Sequence, residues 1–209
     1  MLIFNKLSYD NDMTEKEKML CGKPYNASDK ELRQQHLHAQ QLCQRYNLID
    51  PKNLRQRKAL IRGLFKKVGV HFCIEQPFHC DYGFNISIGE NFFSNYNVVI
   101  LDCAEVSIGD NVLLGPNVSI FTSGHPVHPS LRNQGVMYAF PVRIGNNVWI
   151  GGNTVINPGV SIGDNTVIGA GAVVTKDIPA NVVAAGNPCK ILRTITDQDA
   201  QYYFRKMKF

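Results

Sequence analysis

The hydrophobic positions of residues 142–175 recur every six residues, which is neither the period of a helix nor that of a simple strand. Each of the six aliphatic positions is followed by a small or polar residue, and the six are Ile144, Ile150, Ile156, Ile162, Ile168 and Val174. This period is typical of a hexapeptide β-helix, in which three hexads form one triangular coil. The pattern therefore predicts a prism of coils stacked about 4.8 Å apart, with the aliphatic residues inside.

The same period appears earlier in the chain with interruptions. Three earlier groups of positions are also spaced by six residues, and in chain order they are Ile74, Cys80 and Ile86; Ile88, Ser94 and Ile100; and Ile108, Leu114 and Ile120. Two extra residues separate Ile100 from Ile108, which predicts a bulge or an adjusted corner, and residues 122–141 lack the period altogether. Glycine and asparagine, as in Gly163 and Asn165, suit corners that require a positive φ. A β-sandwich, the alternative, would not keep a strict six-residue phase.

Ahead of the repeats the pattern changes to that of helices. Thr14 and Glu17 form a capping box that predicts a short helix through Leu20, and Ser28 with Glu31 repeats the device. One face of the second helix contains Leu32, His36, Ala39, Cys43 and Tyr46. A third helix is expected from about 52 to 68, and its buried stripe contains Leu60, Ile61, Leu64, Phe65 and Val68. His36 is therefore interpreted as a core or interface residue rather than a ligand. We expect the helices to cap one end of the prism.

The chain is expected to hold one mainly β unit, a left-handed parallel β-helix in residues 73–195 with an inserted loop at 122–141. Residues 1–72 would form the helical cap, which the resemblance described below places on the acceptor side, and residues 196–209 a tail in which Thr196 to Asp199 caps a short helix. No linker rich in proline, serine or glycine divides the 209 residues. The handedness comes only from the resemblance described below, since parallel crossovers are normally right-handed.

Composition narrows the function classes. The net charge is +5 without a long basic run or interleaved aromatic residues, which disfavours a nucleic-acid partner. No apolar run is long enough to span a membrane, and Met1 to Asp12 lacks the features of a secretory signal. The six cysteines contain no CxxC pair, so free thiols in a cytoplasmic protein are expected rather than disulfides or a zinc site.

The loop holds the first candidate for chemistry. His125 stands between Gly124 and Pro126, and the loop also carries Tyr138 and Phe140. A long excursion from a regular repeat is usually functional, and a histidine beside proline has a restrained backbone. An imidazole titrates near neutral pH and suits a general base. We therefore expect His125 to be a positioned catalytic group.

Other polar residues have two interpretations each from the pattern alone. Asn95 either lines a cleft or is an ordinary corner asparagine, and Asp81 is a second polar candidate near it. Lys176, Lys190 and Arg193 could meet phosphates near the end of the prism, or form a solvated basic surface.

Taken together, these motifs resemble the hexapeptide-repeat sugar O-acetyltransferases, which include galactoside and maltose acetyltransferases and their nodulation relatives. The sharpest segments are 124–126, 144–151, 156–160 and 174–179, and the resemblance covers nearly the whole chain. It implies a homotrimer with active sites between subunits and acetyl-CoA as co-substrate, with no metal. Cys103 stands where galactoside enzymes have an acidic residue, so the acceptor stays open between maltose- or glucose-like and galactoside-like sugars. Gly152 stands where they have a serine, so a hydrogen bond to the thioester oxygen there would come from a backbone N–H group.

The resemblance also implies roles for individual residues. His125 would be the catalytic base. The acceptor would be bound by Asn95, Asp81, Asp102 and Met137. Coenzyme A would be bound by Trp149, Gly152, Ala170, Thr175, Lys176, Lys190 and Arg193, although Trp149 could simply cover a coil face.

The expected reaction is direct attack of a sugar hydroxyl on acetyl-CoA, because the hydroxyl needs a base and the thioester already has a good leaving group. An acetyltransferase for another hydroxyl or for an amine is the alternative. A zinc hydratase of the carbonic anhydrase type would need three converging histidines, but residues 142–174 contain none and only His125 and His128 share the loop. A non-catalytic repeat scaffold would leave the histidine loop without a role.

Overall fold

A computed structural model describes residues 13–209 and consists of a helical cap, a three-sided parallel β-solenoid of about six turns and a C-terminal hairpin. The expectation for Met1 to Asp12 lies outside the described residues. The elements of the cap are α1 (Glu15–Leu20), β1 (Tyr25–Asn26), α2 (Lys30–Asn47) and α3 (Leu54–Leu64). None of the helices within residues 13–209 has the length and apolar character needed to cross a bilayer.

Side-chain caps decide where the cap helices begin. The capping box of α1 is confirmed, with Thr14 Oγ1 accepting from the Glu17 N–H. The cap of α2 lies one residue later than predicted, because the Asp29 carboxylate accepts from the N–H groups that follow it. Helix α3 is shorter than the predicted 52–68. It ends at Leu64 because Lys66 donates its N–H to Ile86 and joins the first coil.

The solenoid has three faces, named here in the order in which the chain visits them. The first face contains β2 (Phe72–Ile74), β5 (Phe92–Ser94), β8 (Leu113–Leu114), β13 (Trp149–Ile150), β16 (Val167–Ile168), β18 (Val182–Ala185) and the antiparallel β19 (Lys190–Thr194). The second contains β3 (Phe78–Cys80), β6 (Val98–Leu101), β9 (Ser119–Phe121), β14 (Val155–Ile156) and β17 (Val173–Val174). The third contains β4 (Ile86–Ile88), β7 (Val106–Ile108), β12 (Val142–Ile144) and β15 (Ser161–Ile162). The first edge is the corner between the first and second faces, the second edge is the corner between the second and third faces, and the third edge is the corner from the third face to the first face of the next coil.

The predicted aliphatic positions form the columns of the core. Ile144, Ile150, Ile156, Ile162, Ile168 and Val174 are all buried, and neighbours in a column are paired in parallel register. Each such side chain contributes roughly 1.5–3 kcal/mol through removal of its apolar surface from water. The hexad interpretation of the sequence is therefore confirmed.

The phase of the first coil differs from the prediction. Ile88, rather than Ile86, pairs with Ile108. The column position that comes after Cys80 along the chain is therefore eight residues later, not six. Residues 81–85 therefore widen a corner, just as residues 102–105 do one coil later. The widening was hidden because β4 buries both Ile86 and Ile88.

The third edge is built from asparagines in the left-handed region. Their side-chain amides form a ladder in which each Nδ2 donates to the next Oδ1 at 2.9–3.0 Å, and the members are Asn91, Asn111, Asn147, Asn165 and Asn181. All five have φ between 55° and 60°. The predicted positive φ is confirmed for Asn165, whereas Gly163 does not adopt it, and the ladder fixes coil-to-coil spacing along this edge.

The C-terminal segment is a 3₁₀-helix (Asp197–Gln201) followed by the hairpin of β20 (Tyr202–Phe204) and β21 (Met207–Lys208). Thr196 caps the helix as predicted, with Asp199 as the partner in a capping box. The hairpin was not expected from the sequence.

Candidate active site

All of the irregular insertions in the solenoid occur at the second edge. The corner residues 81–85 and 102–105 are followed, in the third coil, by the loop 122–141, and the later corners on this edge are shorter. The loop contains β10 (Ser123–Gly124), α4 (Pro129–Arg132) and β11 (Val136–Ala139). Polar side chains that would not fit a stacked column are thereby collected beside one edge.

His125 follows β10 directly and is exposed. Its Nδ1 lies 3.3 Å from the carbonyl oxygen of Val136 on the paired strand β11. A carbonyl only accepts, so this contact favours the tautomer with the proton on Nδ1 and a lone pair on Nε2. In this tautomer Nε2 can act as a proton acceptor.

A side chain on the residue before His125 would contact the Tyr138 ring. A Cβ at Gly124 would lie 2.4 Å from the hydroxyl oxygen of Tyr138 and 2.6 Å from its ring. Tyr138 pairs with Gly124 across the β10–β11 ladder, so its ring covers the glycine. This close approach helps to set the position of the neighbouring imidazole. His128, by contrast, caps α4 by accepting from the Ser130 N–H.

The cap and the loop meet in a small antiparallel sheet. β11 pairs with β10 on one side and with β1 of the cap on the other, with Tyr25 opposite Met137. Beside this sheet lies a cavity of about 140 Å³ lined by Tyr25, Ala27, Arg33, His36, Asp81, Tyr82, Cys103 and Met137. The predicted acceptor residues Asp81 and Met137 therefore share one cavity, and Met137 is adjacent in sequence to the residue that holds His125.

Asp81 and Arg33 are the charged residues in the lining of this cavity, together with His36, and the Asp81 carboxylate makes two polar contacts. Its Oδ1 lies 3.4 Å from His36 Nε2, and its Oδ2 accepts from Cys103 Sγ at 3.4 Å. Burial raises the pKa of Asp81, while the hydrogen bond from Cys103 and the charge of His36 act in the opposite direction. Burial and the Asp81 charge raise the pKa of Cys103 to about 12, so this thiol stays protonated and is not a nucleophile.

Asp102 does not reach the cavity, which corrects the expectation that it binds the acceptor. It is fully buried, and its carboxylate accepts from the backbone N–H groups of Asp81, Tyr82 and Asn85 at 3.1, 2.8 and 3.3 Å. Burial raises its pKa to about 7, partly opposed by these hydrogen bonds. Asp102, in the corner 102–105, therefore stabilises the corner 81–85 and holds the backbone of Asp81 in place.

A second group of predicted residues lies on the first edge. Asn95 follows β5, and Gly152 and Ala170 occupy the corresponding corners of later coils, with Trp149 half exposed on the first face beside them. Asn95 is not a corner residue at positive φ, since Asn97 takes that conformation at the same corner. Its Oδ1 accepts from the Tyr96 N–H.

The width of the second face separates the two groups within one chain. His125 lies at the second edge and Asn95 at the first, with a strand of the second face between these edges in every coil. Thr175 and Lys176 lie at the second edge, on the opposite side of that face from Gly152 and Ala170. One chain therefore does not bring all of the predicted residues together.

The three predicted phosphate-binding cations lie at the same end of the prism but on two sides. Lys176 is at the second edge, whereas Lys190 and Arg193 belong to β19 on the first face. Arg193 forms two hydrogen bonds with the Asp199 carboxylate, at 2.7 and 2.8 Å. This pairing raises the pKa of Arg193 and lowers that of Asp199. Within one chain the three cations therefore share an end of the prism but lie on different sides of it.

Metal binding and disulfide formation have little support in residues 13–209. No group of three or more histidine, cysteine, aspartate or glutamate side chains there is arranged to hold a metal ion. All six cysteines are free thiols. The Sγ atoms of the buried pair Cys43 and Cys80 are 3.6 Å apart.

Comparison with protein families gives three matches along the chain. A model described as the maltose acetyltransferase hexapeptide capping motif matches residues 18–69. A model of the bacterial transferase hexapeptide with six repeats matches residues 141–176, and a hexapeptide repeat of succinyl-transferase matches residues 105–127. The capping model covers the helices, and the repeat models cover coils.

Individual proteins are similar over nearly the whole chain. The galactoside O-acetyltransferase of Escherichia coli (strain K12) is 49% identical over 197 residues, covering 94% of this chain and 97% of that protein. The crystal structure of a maltose O-acetyltransferase from Clostridium difficile 630 superposes with a TM-score of 0.88 at 51% identity, covering 90% of this chain and 100% of that one. A galactoside acetyltransferase in complex with coenzyme A gives a TM-score of 0.92 at 48% identity, covering 95% and 99%.

Proposed function

The chain belongs to the hexapeptide-repeat family of sugar O-acetyltransferases and is an acyltransferase, and on that premise we propose that it transfers the acetyl group of acetyl-CoA to a hydroxyl of a sugar. The observation that carries the proposal is the high identity, over almost the full chain, to a galactoside O-acetyltransferase. A maltose O-acetyltransferase of equal similarity supports a maltose- or glucose-like acceptor as well as a galactoside.

His125 is the general base in this proposal. A sugar hydroxyl is a weak nucleophile at neutral pH, and a base within hydrogen-bond reach removes its proton as the new C–O bond forms. Nε2 of His125 takes that proton while Val136 holds Nδ1. The imidazolium then returns the proton to the sulfur of the departing thiolate, so the enzyme ends unchanged and the products are an acetyl ester and a thiol.

A covalent acyl-enzyme on cysteine is disfavoured by the cysteines nearest the site. Cys103 has a raised pKa and spends its hydrogen bond on Asp81. Cys43 and Cys80 are buried and contact each other. Direct attack by the hydroxyl needs none of these thiols.

Coenzyme A is proposed to bind along the first face and across to the second edge of another copy. Trp149, Gly152 and Ala170 would line one wall, while Thr175 and Lys176 would line the other, with Lys190 and Arg193 near the phosphates. Support comes from the solved relative in complex with coenzyme A and from the open, half-exposed face around Trp149. Because the two walls lie on different edges of one prism, the proposal includes a homotrimer with sites between subunits.

The same separation applies to the acceptor. Asp81 and Met137 line the cavity next to β11, the strand whose Val136 carbonyl contacts His125, whereas Asn95 would orient the reacting hydroxyl from the neighbouring subunit. The cytoplasmic location inferred from the cysteine content stays a prediction.

Acetyl-CoA-dependent thiol release tests the activity, measured with glucose, maltose, methyl β-galactoside and glucosamine and with product masses. We expect O-acetylation, and the His125→Ala variant should lose about 10²- to 10⁴-fold in kcat without a change in oligomeric state. Normal turnover by that variant would contradict the role of His125. Preferred acetylation of the amine of glucosamine would instead move the enzyme to the amine-acetylating class.

Complementation tests the shared site. His125→Ala and Asn95→Ala chains, each inactive alone, are co-expressed with different tags and the mixed oligomer is purified. Activity should return, because some interfaces then combine an intact His125 from one chain with an intact Asn95 from another. A mixed oligomer without activity would contradict sites built from two subunits.

A further inference from the structure

We propose that Tyr25 determines acceptor specificity by donating a hydrogen bond to one hydroxyl of the sugar, in the cavity beside Asp81. This hydroxyl is not the one that is acetylated. The inference rests on the proposed sugar acetyltransfer and adds to it a specificity-determining residue from the cap.

The hydroxyl of Tyr25 is buried, and its polar neighbour is the Cys103 thiol, a weak acceptor that gives its own proton to Asp81. The side chain is 2% exposed, and its oxygen is one of two buried side-chain polar atoms in residues 13–209 that make no hydrogen bond. Buried tyrosine hydroxyls normally find a partner, because an unsatisfied donor costs stability. Tyr46 is the comparison within this chain: it is equally buried, and its hydroxyl donates to the carbonyl of Ile74. An unpartnered group in the wall of a cavity indicates that a ligand completes it.

The other polar groups around the cavity define what that ligand must be. The oxygens of Asp81 already interact with His36 and with Cys103, yet a carboxylate has further lone pairs to offer. The cavity therefore presents Tyr25 as a neutral donor close to Asp81 as an acceptor, with Arg33 and His36 as further polar groups in the lining. A hydroxyl can satisfy both at once, whereas an ammonium group can only donate to Asp81 and a methyl group satisfies neither.

The donor state of Tyr25 is secure at all working pH values. Burial, with the nearby Cys103 as the next cause, raises the pKa of the phenol far above its ordinary value. The hydroxyl therefore keeps its proton and acts as a neutral donor.

One strand connects this cavity with the catalytic base. Tyr25 is opposite Met137 in the β1–β11 pair, and Met137 lines the cavity. The preceding residue, Val136, holds the His125 imidazole through its carbonyl. A sugar with one hydroxyl bound in the cavity would thus present a hydroxyl on another carbon to Nε2 of His125. The hydrogen bond from Tyr25 would orient the sugar and so determine which hydroxyl is acetylated.

Kinetics with deoxygenated acceptors test the inference. The best sugar of the panel and its singly deoxygenated analogues are assayed with the wild type and with Tyr25→Phe. For one analogue the wild type should lose about tenfold in kcat/KM, the value of one hydrogen bond, and Tyr25→Phe should lose about tenfold with the parent sugar. The variant should then treat parent and analogue alike, and its KM for acetyl-CoA should be unchanged.

Tyr46→Phe is the matched control. It removes a hydroxyl that has a partner, so it should lower the melting temperature and leave selectivity among the analogues unchanged. Tyr25→Phe should have a melting temperature equal to or above that of the wild type, because it removes an unsatisfied donor.

Two results would overturn the inference: an unchanged preference for the parent sugar in Tyr25→Phe, or an equal loss for every analogue. If the wild type acetylated no sugar at all, the proposed function would fail instead. Thiol release from acetyl-CoA with each sugar distinguishes these cases before any variant is made.

Discussion

The second and third edges of the prism are built from the same backbone but differ in regularity. At the third edge five successive turns have the same form, through asparagines at positive φ whose amides form a ladder. At the second edge two corners are widened and a third carries a long loop. The ladder satisfies its own hydrogen bonds, whereas the second edge contains His125, Asp81 and the unpartnered Tyr25 beside it. Regular repetition provides stability at one edge, and departures from it provide chemistry at another.

The largest effect on this comparison should come from Asp102→Ala at the second edge. The variant leaves the N–H groups of Tyr82 and Asn85 buried without an acceptor, so we expect a loss of about 3 kcal/mol in the free energy of unfolding. KM for the acceptor should rise more than KM for acetyl-CoA, because Asp81 loses its support. Urea denaturation and steady-state kinetics measure both effects.

Asp177→Ala is the matched control on the same edge. Asp177 is exposed and accepts one N–H, from Ser161, at 2.8 Å. Its removal should cost less than about 1 kcal/mol. Equal losses for the two variants would mean that the buried carboxylate has no special role.

Gly145→Ala should show the opposite signature at the third edge. A Cβ there would lie 2.2 Å from an oxygen of Asp164 and 2.8 Å from its backbone nitrogen. Because the backbone must shift, we expect a loss of about 2.5 kcal/mol in the free energy of unfolding, with unchanged kinetic constants in the folded enzyme. In Gly63→Ala, where no atom lies within 4 Å of the added Cβ, the same denaturation should show no loss.

The pH dependence of stability sharpens the comparison further. The pKa of Asp102 is about 7 in the folded chain, above its ordinary value of 3.8, so between these values the native state retains a proton that the unfolded state has lost. Stability from this group therefore falls as pH rises through that window, by up to about 1.4 kcal/mol per pH unit. We expect the difference in unfolding free energy between wild type and Asp102→Asn to decline across the window and to level off above it. A flat difference would contradict the raised pKa.

The smallest effect should come from Gly124→Ala in the loop. The new Cβ displaces the Tyr138 side chain rather than the backbone, so stability should hardly change. We expect kcat to fall about fivefold through a small shift of His125, since about 1 kcal/mol of barrier corresponds to that factor. Adding Tyr138→Leu, which removes the ring at the contact, should restore most of the rate. A loss of stability without a change in kcat would assign Gly124 to the fold alone.

The sequence predicted the parts of the molecule that depend on local repetition. The columns of Ile144, Ile150 and Ile156 follow from the hexad because every inward position must be apolar. The extra residues at 81–85 were missed, since Ile86 also lies six positions after Cys80 and is itself buried. Periodicity identifies which residues are apolar but does not distinguish two buried positions of one strand.

Prediction of the candidate site was limited by contacts between distant segments. His125 was identified from its glycine and proline neighbours, a local signal. The cavity depends on the pairing of Tyr25 with Met137, residues more than one hundred positions apart, for which no sequence pattern existed. His36 was assigned to the core or an interface, but it lies at the cavity beside Asp81. The resemblance assigned Asp102 to the acceptor. Its burial could not be predicted, because it depends on the shape of the widened corner at residues 102–105.

The concentration of insertions at the second edge has a consequence for how this kind of enzyme can change. Residues added there leave the prism without shifting any member of the stacked columns, so new loops can be grafted while the scaffold stays the same. The cap strand that carries Tyr25 joins the loop through only two paired positions. Evolution, or a protein engineer, can therefore revise the choice of acceptor by exchanging short surface segments, with the rest of the solenoid serving as an unchanging frame.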